Sequence, residues 1–143
     1  APAAAVALLA ACASGPASVT VSLPDAAGGP ACQALGPLWP ATVSGRSARP
    51  TSVDSPATRA WGDPAIVAIC GYPPLEPSTL DCIAVDGVDW VVQPRSDGVQ
   101  FTAYGRTPTM DVLVPSAYAP EPLVLPAFGA AARSLPANGH QCS

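Results

Sequence analysis

Cys70-Gly71-Tyr72-Pro73-Pro74-Leu75-Glu76-Pro77-Ser78-Thr79-Leu80-Asp81-Cys82, continued by Ile83-Ala84-Val85-Asp86-Gly87-Val88-Asp89-Trp90-Val91-Val92, decides how this chain folds. Its first half is a proline-stiffened loop with a cysteine at each mouth. Its second half places Asp86-Gly87 between alternating apolar residues, the strongest short-range signal for a two-residue β-hairpin. Across that turn Val85 is expected to face Val88, Ala84 to face Asp89, and Ile83 to face Trp90. Side chains alternate along a strand, so Ile83, Val85, Val88 and Trp90 share one face, the core face.

The neighbouring segments read outward from this hairpin. Ala65-Ile66-Val67-Ala68-Ile69-Cys70 is apolar on both faces and suits a strand inside a sheet. Trp61-Gly62-Asp63-Pro64 turns the chain into it, because the residue before proline avoids the helical region. Downstream, Pro94–Gly98 is expected to be a turn. Val99, Phe101 and Ala103 then alternate with Gln100, Thr102 and Tyr104, and Met110, Val112 and Val114 with Thr109, Asp111 and Leu113. Gly105–Pro108 reverses the chain between them. Thr42–Arg59 shows no period and reads as loop. Pro30–Leu35 begins a short helix, and Val124, Phe128, Ala131 and Leu135 recur at helical spacing, predicting a helix over Pro122–Leu135. The expected fold is α+β: an antiparallel sheet of about four to five short strands, with a short N-terminal and a C-terminal helix packed on one face.

Composition narrows the class. Of 143 residues, 11% are charged and 49% apolar, with nineteen prolines and twelve glycines, which favours short elements and stiff loops. A net charge of −4 argues against nucleic acid, whose phosphates need a basic footprint. The run Ala3–Ala13 is shorter than the roughly 20 residues of a membrane span and matches the apolar core of an export signal. Within it Leu9-Ala10-Ala11-Cys12 has the pattern of a bacterial lipobox, which predicts a lipid on Cys12. Cleavage without lipidation would instead leave a secreted protein. The division expected is residues 1–13 as signal remnant and lipobox, 14–29 as a flexible tether, and 30–143 as the folded domain.

With Cys12 spent on lipid, four cysteines remain and permit three pairings. Cys70 and Cys82 flank the proline-rich loop, so bridging them would close a small ring and leave Cys32–Cys142 to tie the domain's ends together. An exported setting favours disulfides, and the spacings fit no zinc finger or ribbon, so neither metal nor other cofactor is expected.

Catalytic groups are sparse. His140 is the one histidine and stands between Gly139 and Gln141 in the tail, without the rigid support that acid–base or nucleophilic catalysis needs. Asp81, Asp86 and Asp89 cluster, yet Asp86 is explained by the turn and Asp89 lies on the face opposite Trp90. No activity is expected. Arg106, in Tyr104-Gly105-Arg106 at a chain reversal, could bind a carboxylate or phosphate together with Tyr104 and Trp61. Its ordinary use would be an ion pair with a nearby aspartate. Tyr72 and Leu75 on the cysteine-flanked loop could form an exposed apolar contact patch, or pack their own loop down.

In combination, Cys32 with Leu35, Trp61-Gly62-Asp63-Pro64, Cys70-Gly71 followed by prolines, Cys82 with Val85–Trp90, Phe101-Thr102, Tyr104-Gly105-Arg106 and Val112–Pro115 resemble an actinobacterial family of exported proteins, a domain of unknown function, family 3515. The resemblance covers roughly Pro30 to Cys142. It implies a cell-envelope protein, lipid-anchored or secreted, and no assigned activity. The functional expectation is a non-catalytic module contacting a membrane or cell-wall protein, attached to the membrane through Cys12. The alternative is a domain binding a small ligand or envelope polymer through Arg106 and nearby aromatics.

Overall fold

The computed structural model describes residues 17–143. Eight strands form one antiparallel sheet: β1 (Thr42–Val43), β2 (Arg46–Arg49), β3 (Thr58–Trp61), β4 (Ile66–Tyr72), β5 (Cys82–Val85), β6 (Val88–Arg95), β7 (Gly98–Tyr104) and β8 (Thr109–Pro115). Their order is β1-β2-β3-β4-β8-β7-β6-β5. Two meanders, β1–β4 and β5–β8, therefore meet along β4 and β8, where Ala68 pairs with Val112.

The Asp86-Gly87 turn sets the register of the second meander. Both residues have positive φ, 50° and 79°, as a tight hairpin turn matching the strand twist requires. Val85 pairs with Val88, Ala84 with Asp89 and Ile83 with Trp90, as the sequence predicts. The next hairpin is tighter than expected. Arg95 pairs with Gly98, so Pro94 and Arg95 belong to β6 and the turn shrinks to Ser96-Asp97.

One face of the sheet carries the main core: Ile66, Ala68, Cys70, Met110, Val112, Phe101, Val88 and Trp90, alternating along their strands as the pleat requires. It is covered by helix α1 (Pro30–Gln33), the 3₁₀ turn Gly36–Leu38, a 3₁₀ segment Glu121–Phe128 and helix α2 (Gly129–Ser134). Trp39, Leu125, Phe128 and Leu135 fill the space between. The other face holds a smaller cluster of Ala60, Val67 and Ile69, closed by Val21.

The fold class differs from the expected sheet of four to five strands with two helices. The sheet has twice the lower number and little α-helix. Thr42–Arg59 contains β1 and β2 and leads into β3, but β2 is largely exposed and shows no apolar alternation to read. The C-terminal helical segment starts as 3₁₀ because Pro122 and Pro126 lack the N–H groups that an α-helical ladder would need. Only Gly129–Ser134 is α-helical.

The tether boundary also moves. Val19 bridges to Thr51, its N–H donating to the Pro50 carbonyl at 2.9 Å. Val21 and Ala27 are buried, and Asp25–Gly28 forms a 3₁₀ turn. The stretch from Val19 to Gly29 is part of the domain because Val19, Val21 and Leu23 cover the sheet's second face while Ala27 packs into the main core. Residues 14–16 of the expected tether, the lipobox and Cys12 lie outside the described residues.

The disulfides are Cys32–Cys70 and Cys82–Cys142, each with Cα atoms 5.6 Å apart, and not the expected Cys70–Cys82 and Cys32–Cys142. Topology is the reason. β8, β7 and β6 stand between β4 and β5, a separation of about 19 Å at the usual strand spacing, far beyond a disulfide's reach. Four successive antiparallel pairings also make β4 and β5 run in the same direction. The connection Pro73–Asp81 must then cross the sheet as a strap, and its nine residues span up to about 30 Å when extended.

Candidate functional site

The sheet's second face carries the polar residues of β6, β7 and β8. Asp111 pairs with Thr102, and Leu113 with Gln100, so Gln100 lies diagonal to Asp111 on the same face. Asp111 is buried yet fully engaged: Thr102 Oγ1 donates to Oδ1 at 2.6 Å and Gln100 Nε2 to Oδ2 at 2.9 Å. Burial pushes its carboxyl above the ordinary aspartate range, against the opposing hydrogen bonds from Thr102 and Gln100 and the charge of Arg95. Tyr72, half-buried on β4, has its phenol pushed up by burial and then by the charge of Asp111.

Gln100 passes this order outward. Its Oε1 accepts from Arg95 Nε at 2.9 Å, while Arg95 Nη2 donates to Gln93 Oε1 at 3.3 Å. Two glutamines thus hold an exposed guanidinium in one orientation. Arg95, Gln100 and Asp97 line a groove of about 740 Å³ whose apolar walls include Val19, Val67 and Leu113. Its size falls within the range of small-molecule sites, and it is open to solvent along one side with Arg95, Ser96, Asp97 and Gln100 on its polar rim.

The expected site residues are dispersed. Arg106 and Tyr104 do share a cleft, of about 300 Å³, with Asp89 and His140. Trp61 does not join them; it is fully buried, and its Nε1 donates to the Pro40 carbonyl at 3.0 Å. The Arg106 guanidinium is occupied: Nη1 donates to Leu135 O at 2.8 Å and Arg133 O at 3.2 Å, satisfying carbonyls at the end of α2. The aspartate partner is absent too, since the one ion pair among the described residues is Arg49–Asp63 at 3.7 Å. Tyr104 lies against the His140 ring, centroids 5.8 Å apart.

Tyr72 and Leu75 are both half-buried, and Tyr72 packs against the smaller cluster; among the described residues the large exposed apolar side chains are Leu80 and Leu123. The three aspartates do not converge on one cleft chemistry. Asp86 makes the turn, its carbonyl accepting from Arg133 Nη1 at 2.8 Å, and Asp89 Oδ2 accepts from Cys142 N–H at 2.9 Å. Among the described residues no three His, Cys, Asp or Glu side chains group as metal ligands, and no helix is long and apolar enough to cross a membrane.

Sequence reasoning missed Arg95, Gln100 and Asp111. The alternation in β7 and β8 assigns Gln100, Thr102 and Asp111 to one parity. Recognising that the two strands are neighbours would have brought these polar residues together.

The sequence matches the family model described as "Protein of unknown function (DUF3515)" over residues 2–138. No curated protein and no solved structure matches the chain.

Proposed function

This chain belongs to the DUF3515 family, and we propose that it is a non-catalytic recognition domain of the cell envelope, held at the membrane by a lipid on Cys12. The observation that carries the reading is the oriented Arg95 at the rim of the groove on the sheet's second face. A guanidinium fixed by Gln93 and Gln100 meets an anionic group with little further ordering, and Val19, Val67 and Leu113 offer apolar contact beside it. The ligand class is an envelope molecule with one anionic group next to an apolar portion. Asp97 on the same rim, and the net charge of −4, disfavour a polyanion. The lipobox and the two disulfides support the compartment.

A second reading, an accessory subunit contacting a membrane or cell-wall protein, draws on Leu80, which the strap leaves 45% exposed. One experiment addresses both: tagged full-length protein is purified from native membranes in mild detergent, as wild type and as Arg95→Gln. The groove reading expects a small anionic amphiphile that the wild type retains and Arg95→Gln loses. A stoichiometric protein recovered equally by both would favour the accessory subunit and sink the groove. Intact mass of the same preparation reports the diacylglyceryl group, which Cys12→Ala should abolish together with membrane retention.

A further inference from the structure

The two disulfides stand in contrasting surroundings. Cys32 and Cys70 are both fully buried in the main core. Cys82 and Cys142 are half-buried, and both line an open cleft of about 340 Å³ together with Leu80, Val91 and Tyr104. Exchange requires a thiolate to reach a disulfide sulfur, so access separates the two bonds before any difference in their chemistry does.

We propose that Cys82–Cys142 is a thiol-exchange site, opened by a protein dithiol that enters this cleft, and that its opening releases residues 139–143 from the sheet. The thiolate of the dithiol bonds to one sulfur of the pair, and the other sulfur leaves as a thiolate and takes up a proton. The second thiol of the dithiol then attacks the mixed disulfide. The chain gains two electrons and two protons, and the dithiol is oxidised to its own disulfide.

The consequence follows from how the tail is held. Asn138 N–H donates to Gly105 O at 2.9 Å and Thr107 N–H to Pro136 O at 3.0 Å, fixing the chain as far as Asn138. Beyond it, attachment to the sheet consists of the disulfide, the Cys142 N–H to Asp89 hydrogen bond, the His140 ring on Tyr104 and the His140 carbonyl packed against Gly105. Gly139 has φ of 91°, a conformation that glycine adopts without steric cost. The cleft beside the disulfide and the cleft beside Arg106 share Tyr104 and Gln141 as walls. This site does not draw on the Arg95 groove.

The test uses folded full-length protein, titrated with dithiothreitol, quenched by alkylation and mapped by mass spectrometry. Cys82 and Cys142 should be alkylated at least about ten-fold faster than Cys32 and Cys70. Far-UV circular dichroism should stay unchanged and hydrogen exchange should rise in 139–143. Equal rates for the two bonds, or loss of the sheet signal with the first, would overturn the proposal. A protein dithiol whose second cysteine is replaced by serine should be trapped as a mixed disulfide on Cys82 or Cys142. Failure to trap it, with dithiothreitol still selective, would overturn the docking of a protein reductant. The Cys82→Ser/Cys142→Ser variant should fold with Cys32–Cys70 intact, and unfolding of it would show the bond to be structural.

Discussion

Trp61 and Phe128 stand edge to face, ring centroids 5.3 Å and planes 75° apart, and this contact joins β3 to the 3₁₀ segment that covers the main core. Trp39 meets both rings edge-on, at 6.2 Å and 6.4 Å, so the first meander, the N-terminal helices and the C-terminal cover share one aromatic cluster. Phe128→Ala should cost about 3–5 kcal/mol, a large share of the roughly 5–15 kcal/mol of a typical domain. Urea unfolding followed by tryptophan fluorescence measures it, and a loss below about 1 kcal/mol would show that the cover contributes little.

Gly71 has φ of 124° at the register shift between Cys70 and Tyr72. A Cβ there would strike the backbone of Ala27, so a glycine lets the Asp25–Gly28 turn lie against β4. Gly71→Ala combines steric collision with a backbone conformation unsuited to alanine and should cost about 1–3 kcal/mol. The loss should appear in thermal melts, with hydrogen exchange rising first in residues 19–29.

Arg106→Ala should behave as a lost helix cap. Two carbonyls at the end of α2 would give up their charged donor, for about 1 kcal/mol given partial exposure. Binding of whatever the wild type retains from membranes should be unaffected. Loss of binding without loss of stability would restore Arg106 as a ligand residue.

Asp111 makes stability depend on pH in the opposite sense to a salt-bridged carboxylate. Its folded-state proton affinity is raised by burial, so between the ordinary value of 3.8 and the raised one the folded state binds more protons than the unfolded. This group's contribution is most favourable below the ordinary value and falls as pH rises through that window. Asp111→Asn keeps an acceptor for Gln100 and a partner for Thr102 but cannot ionise. It should unfold at higher urea than wild type at neutral pH, with a flatter pH profile from acid to neutral. An identical profile in both proteins would mean that the Asp111 carboxylate is solvated in the folded state.

Legibility in the sequence follows how local each interaction is. The Asp86-Gly87 hairpin was readable residue by residue because a two-residue turn fixes register without knowledge of the rest of the chain. The strand over Arg46–Arg49 was not, because three of its four residues are charged or polar and it finds its place through pairing with β3. The disulfide partners were hidden for a related reason. Cys70 and Cys82 are close in sequence, but the insertion of β8, β7 and β6 between their strands is a long-range outcome that neither cysteine announces. The groove is half legible: alternation marks Gln100 and Asp111 as polar-face residues, while Pro94–Gly98 on its own reads as a turn and hides Arg95 at the end of β6.

The early start of the folded domain sets a distance. Arg49 Nη2 donates to the Ala17 carbonyl at 2.6 Å, so the chain is already fixed at Ala17. With the proposed lipid on Cys12, residues 13–16 are all that separate the anchor from the domain, and a fully extended chain from residue 12 to residue 17 reaches no more than about 18 Å. The domain would then ride within its own width of the headgroups, with the Val19 side of its groove on the inner flank. On that proposal the protein would sample the layer of the envelope next to the bilayer, without reach into the outer wall.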